Sequence, residues 1–111
     1  MTELESRTIC IDLDQTICVS CDGDYTDAQP VPGAQKALGL LRKTGWVVVL
    51  HTARHFNHWQ LTVDWLAGHG FEYDQIVFGK PPARFYIDDR AIPFSGNWDQ
   101  LFERISTERI K

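Results

Sequence analysis

Apolar residues along the chain fall into short blocks that switch between two periods. Thr8-Ile9-Cys10-Ile11-Asp12-Leu13 is a brief β-rich run. Residues 33–44 carry Ala34, Ala37, Leu38 and Leu41 at the spacing of one helical face. Pro32 stands where a first helical residue is tolerated, and Gly45 where a left-handed residue closes a helix. Trp46-Val47-Val48-Val49-Leu50 is apolar throughout, as expected of a strand covered on both faces. Asn57 followed by Gln60 gives a capping-box signal for a second helix, with Trp59, Val63 and Leu66 as its inner stripe and Gly70 as its end. Gln75-Ile76-Val77-Phe78 and Arg84-Phe85-Tyr86-Ile87 read as two further strands, separated by the breaker Gly79-Lys80-Pro81-Pro82. Asn97 with Gln100 repeats the capping signal ahead of a helix striped by Trp98, Leu101, Phe102 and Ile105.

The resulting order, β-α-β-α-β-β-α, predicts a Rossmann-like three-layer α/β/α sandwich with a mostly parallel sheet. In such sheets the working site lies beyond the carboxyl ends of the strands. Asp12 and Asp14 follow the first strand, Thr52, Ala53 and Arg54 the second, Lys80 the third, and Asp88 and Asp89 the fourth. Polar groups from four separate stretches therefore converge on one edge.

Length and composition fit this picture. The 111 residues make one domain, and 43% hydrophobic with 23% charged residues is ordinary for a globular protein. A formal charge of −4 excludes a generally basic, nucleic-acid-coating surface. No apolar run approaches a membrane span, and the polar stretch 1–7 lacks a signal peptide's apolar block, so a cytoplasmic location without membrane contact is expected. Three cysteines do not suggest a disulfide framework.

Asp12 and Asp14, two apart at a strand end, project to the same side, and Asp88 or Asp89 can complete an oxygen cluster. Hard carboxylates without a convincing nitrogen or sulfur partner suit Mg²⁺. Thr52 with Ala53 offers a hydroxyl and backbone amides, and Lys80 a compact positive charge. Together these groups suit a phosphoryl group in transfer.

Asp12-Leu13-Asp14-Gln15-Thr16, Thr52, Lys80 and Ile87-Asp88-Asp89 resemble, in order, the four motifs of the haloacid dehalogenase superfamily. The resemblance runs over residues 8–94. It implies a haloacid dehalogenase-like fold and a Mg²⁺-dependent phosphatase. Asp12 would be the nucleophile that forms an aspartyl-phosphate, and Asp14 the acid for the leaving group and then the base for water. Thr52, Ala53 and Lys80 would bind the phosphoryl group. The metal would be held by Asp12 and Asp14 with Asp88, and with Asp89 beside it or one shell out. Many members have Gly where Gln15 stands, and a Gln fits there if the backbone keeps φ negative. Asp14 favours phosphoryl chemistry, since dehalogenating members lack it.

The intervals between motifs leave no room for a cap domain, so the resemblance implies a single capless domain over residues 1–111. Residues 18–29 would form a small flap, with Tyr25 a candidate substrate contact over the mouth. An open site admits large phosphates unless a neighbouring copy of the chain covers it. Tyr25 with Gln29-Pro30, Thr52-Ala53-Arg54 and Phe78-Gly79-Lys80-Pro81 look similar to small bacterial members associated with surface polysaccharides, which suggests a phosphorylated sugar or related metabolite.

Other features carry less. Cys18 and Cys21 have zinc-knuckle spacing, but no second cysteine pair completes four ligands. His51, His55 and His58 cluster near the second strand end as packing or rim residues. Arg54 is placed either to reach a substrate anion or to pair with one of the aspartates. Two alternatives to a metabolite phosphatase stand beside it. A phospho-acceptor module of the receiver kind would need its acceptor aspartate in mid-chain, where the second strand here ends without one. A 3′-phosphatase acting on nucleic-acid ends would want a basic stripe that the chain lacks.

Overall fold

The computed structural model describes residues 1–21 and 24–108, the side chains of Cys21 and Asp24 excepted. Its strands and helices in chain order are α1 (Glu3–Ser6), β1 (Thr8–Asp12), β2 (Cys18–Cys21), β3 (Asp24–Pro30), α2 (Ala34–Lys43), β4 (Val47–Thr52), α3 (Trp59–Gly68), β5 (Gln75–Phe78) and α4 (Trp98–Ser106). A parallel sheet of order β1-β4-β5 is flanked by helices in the three-layer arrangement that the alternation of periods predicts. Register aligns the carboxyl ends: Asp12 lies opposite His51, and Thr52 opposite Phe78.

The predicted face of α2 is the one that is buried, with Ala34, Ala37, Leu38 and Leu41 against the sheet. Burying each leucine stabilises the fold by roughly 1.5–3 kcal/mol relative to leaving it exposed. Val48, Leu50 and Thr52 of β4 are buried and the residues between them half-buried, so the strand's two faces are covered unequally. Two tryptophans tie the connections to this core. The indole N–H of Trp98, on α4, donates to the Thr16 carbonyl (2.8 Å), and that of Trp65, on α3, donates to the Ala28 carbonyl on β3 (3.0 Å). At the far end of the sheet, Asp74 acts as a strand neighbour through its side chain. Its carboxylate accepts from the Val48 amide (2.8 Å) while its own amide donates to the Val48 carbonyl (2.8 Å).

The structure departs from the sequence reading in four places. Residues 84–87 form no strand, and the whole of 79–97 lacks helix and strand, with Phe85 at 74% and Ile87 at 100% exposure. Strand propensity needs a lateral partner to be expressed. Here local contacts take the segment instead: Tyr86 donates its hydroxyl to the Pro81 carbonyl, and the Arg90 amide donates to Asp88 (2.8 Å). The second helix starts at Trp59, after a 3₁₀ turn over Phe56–His58 that is capped by His55 rather than by Asn57. Its inner face is Thr62, Trp65 and Leu66, while Trp59 is left 44% exposed and stacks on Phe56. A short helix, α1, opens in the polar start of the chain, where the Thr2 hydroxyl accepts from the Glu5 amide. Pro32 lies outside α2, whose N-cap is Gly33 at φ 85°.

The expected flap is an antiparallel hairpin, β2 with β3; residues 22 and 23 of the 18–29 stretch, and the side chain of Cys21, which has zinc-knuckle spacing with Cys18, lie outside the described residues. Among the described residues, no helix is long and apolar enough to cross a membrane.

Candidate active site

Asp12 is the last residue of β1 and keeps its side chain 34% exposed at the sheet's carboxyl edge. The Lys80 ammonium lies 3.6 Å from Asp12 Oδ2 and 4.0 Å from the centre of the Tyr86 ring. Lys80 is delivered by backbone geometry. Gly79 takes φ 101°, and the amides of Gly79 and Lys80 both donate to the Thr52 carbonyl (3.2 and 3.0 Å). That pair of bonds fastens the end of β5 to the end of β4, so Thr52 helps place the cation even through its main chain. His51, beside Asp12 in the sheet, has its pKa lowered by burial first and by the Lys80 charge second, with Asp12 opposing. The 3.6 Å contact makes Lys80 the cation paired with Asp12.

Asp14 sits in a tight turn in which the Ile17 amide donates to the Leu13 carbonyl (2.9 Å) and the Gln15 amide to the Cys18 carbonyl (2.7 Å). Closing this turn puts Gln15 at φ 65°, the one non-glycine with positive φ among the described residues. The condition under which a Gln fits without strain, a negative φ, is therefore not met. Two inward-directed carbonyls set the conformation, and the position has the geometry that favours glycine.

Arg54 settles between its two readings in favour of the ion pair. Its Nε donates to Asp14 Oδ2 (2.9 Å) and its Nη2 to Asp14 Oδ1 (2.7 Å). The guanidinium is 1% exposed and lies 3.9 Å from the centre of the Tyr25 ring. Tyr25 accordingly covers Arg54 and meets His58 edge-on. Thr52 is fully buried, its hydroxyl accepting from the Arg54 amide (3.0 Å), and Ala53 is exposed at the rim. Cys18, under the turn, has its thiol pKa pushed up to about 12, by burial first and by the neighbouring Asp14 charge.

The structure thus brings together Asp12 with Lys80, and Asp14 with Arg54 and Tyr25, at one edge of the sheet. Asp88 and Asp89 are exposed, Asp88 accepts from the Arg90 amide, and neither forms a metal-holding group with Asp12 and Asp14. No group of three acidic, histidine or cysteine side chains among the described residues is arranged to hold a metal ion. As arranged, these residues do not fit a Mg²⁺ site. Two partners of Asp14 escaped the sequence reading, the Ser20 hydroxyl, which donates to Oδ1 (3.4 Å), and the Cys18 thiol, which donates to the same oxygen (3.6 Å); so did Thr62, whose hydroxyl accepts from Arg54 Nη1 (3.0 Å). Thr62 falls three residues before Trp65 and four before Leu66 on the helix, a spacing that puts it on their inward face.

No family model matches the sequence, and no curated protein matches it. Solved structures do. A crystal structure from Vibrio cholerae is 29% identical over 89% of this chain and 98% of its own, with a TM-score of 0.69. A conserved protein from Bacteroides thetaiotaomicron is 24% identical over 92% of this chain and 91% of its own, with a TM-score of 0.65. A chain of the Pnkp1/Rnl/Hen1 RNA repair complex aligns with 87% of this chain over 30% of its own length, at 20% identity and a TM-score of 0.57. The chain shares its α/β architecture with these proteins.

Proposed function

We propose that the chain is a haloacid dehalogenase-type phosphomonoesterase that works through an aspartyl-phosphate on Asp12, with a small phosphorylated metabolite of the sugar-phosphate class as substrate. The observation that carries this reading is the juxtaposition at the end of β1: a half-open carboxylate, a lysine 3.6 Å away, and a second carboxylate two residues on. In the first step a carboxylate oxygen of Asp12 attacks phosphorus and the ester P–O bond breaks. The departing alkoxide takes a proton from Asp14 and leaves as the alcohol. In the second step water gives a proton to Asp14 and attacks phosphorus, releasing inorganic phosphate and restoring Asp12. Lys80 offsets the negative charge that the phosphoryl oxygens bring to Asp12. The sugar-phosphate assignment is supported by the likeness of Tyr25 with Gln29-Pro30, Thr52-Ala53-Arg54 and Phe78-Gly79-Lys80-Pro81 to small bacterial members associated with surface polysaccharides.

A Mg²⁺ requirement enters the proposal from the motif resemblance of Asp12, Asp14 and Ile87-Asp88-Asp89 alone, not from their arrangement. Because these groups do not meet in the arrangement described, no step above runs through the cation.

The test is hydrolysis of a panel of phosphate monoesters by the wild type and by Asp12→Asn, with Mg²⁺ and with excess chelator. Turnover by the wild type that falls to background in Asp12→Asn and on chelation is expected. Beryllium fluoride should attach to Asp12. Full activity of Asp12→Asn would overturn the reading, and an adduct on Asp64 or Asp74 would overturn it in favour of a receiver-like module.

A further inference from the structure

Arginine near a phosphate site is ordinarily read as a ligand for the substrate's anionic oxygens. Arg54 is not free to do this. Its side chain is 1% exposed, and its donors are committed inward: Nε and Nη2 to both oxygens of Asp14, Nη1 to Thr62 Oγ1 (3.0 Å), and Nη2 also to Cys18 Sγ (3.7 Å). The Tyr25 ring closes the remaining face. Asp14, by contrast, keeps 27% of its side chain exposed. The fork takes one lone pair from each carboxylate oxygen and so fixes the plane of the carboxylate, whose Oδ1 also accepts from the Ser20 hydroxyl (3.4 Å) and the Cys18 thiol (3.6 Å).

We infer that Arg54 is the positioning residue for Asp14, clamping the proton-transferring carboxylate in one orientation while itself touching no substrate. The clamp is anchored to three separate elements. Thr62 ties it to α3, Tyr25 to the hairpin, and the Arg54 amide to the Thr52 hydroxyl at the end of β4. Holding a reacting group within a few tenths of an ångström is worth far more to the rate than to affinity. This inference rests on the phosphomonoesterase reading, and it separates Arg54 from the role of anion receptor.

The experiment compares an alkyl phosphate, whose leaving group needs a proton, with p-nitrophenyl phosphate, whose leaving group does not. Arg54→Lys keeps a charge and loses the planar fork. On the alkyl ester its kcat should fall roughly 10- to 100-fold with KM held within about threefold. The loss on the aryl ester should be at least about tenfold smaller. Thr62→Val, buried on α3 and near-isosteric, removes one anchor and keeps the test alive if Arg54→Lys fails to fold. It should show the same selectivity at about two- to fivefold. Equal losses on both esters in these variants, or a raised KM with kcat intact, would overturn the assignment. If the wild type hydrolyses neither ester, it is the phosphomonoesterase reading that fails, and the positioning role falls with it.

Discussion

Gln15 holds a backbone conformation that side chains with a Cβ avoid, at a cost of roughly 1–2 kcal/mol. The turn is over-determined by its bonds to the Leu13 and Cys18 carbonyls, so the fold tolerates that cost. Gln15→Gly should therefore raise the unfolding free energy by about 1 kcal/mol after the added freedom of the unfolded chain is counted. Chemical denaturation reads this as a higher midpoint at unchanged slope; an unchanged or lower midpoint would show that the conformation is not strained. At this scale the sequence was informative about chemistry and silent about orientation. Asp12, Asp14 and Lys80 could be named because strand ends are visible in the hydrophobic pattern. The sign of φ at Gln15 depends on which carbonyls turn inward. The partner of Arg54 lies 40 residues away on a different element, and its burial depends on a ring from the hairpin.

Among the elements, β5 is held at its start by a side chain that substitutes for a strand. The Val48 amide bond, followed by the Arg42 guanidinium, holds the Asp74 carboxyl below its ordinary value, with burial opposing. A carboxyl depressed on folding contributes stability above its unfolded value of about 3.9 and loses it as the pH falls through the folded value. Asp74→Ala should cost about 1 kcal/mol at pH 7, as expected for a partly exposed hydrogen-bonded carboxylate. The variant should also unfold less steeply than the wild type as the pH is lowered below 4, followed by circular dichroism. Parallel acid-unfolding curves would remove Asp74 from the account. Helices were the most legible elements, because α2 and α4 bury the stripes that their spacing announces and α4 uses the Asn97 cap. The run Arg84-Phe85-Tyr86-Ile87 has a strand's composition, but Pro81 and Pro82 before it and the Tyr86 and Asp88 bonds within it satisfy the chain locally. Composition carries no information about whether a neighbouring edge is occupied.

For the molecule as a whole, the alternation of periods was enough to specify a parallel sheet whose carboxyl edge gathers Asp12, Asp14, Arg54 and Lys80. The long segment between β5 and α4 leaves that order. Arg84 and Arg90 lie exposed within it, in a run from Pro81 to Pro93 whose residues are all exposed. A protease needs several consecutive residues in extended form, which the helices and the sheet withhold and this stretch offers. Lys80 is followed by Pro81, which trypsin disfavours, so brief digestion should open the chain first after Arg84 or Arg90. Mass spectrometry of the early fragments checks this; first cuts at Arg7, Lys36 or Lys43 would contradict it. A nicked chain would keep α4 attached, since Trp98 anchors it to the Thr16 turn, while the peptide bearing Asp88 and Asp89 is cut free at one or both ends. Digestion therefore offers a way to sever those two carboxylates from the Asp12–Lys80 pair without substituting a single residue.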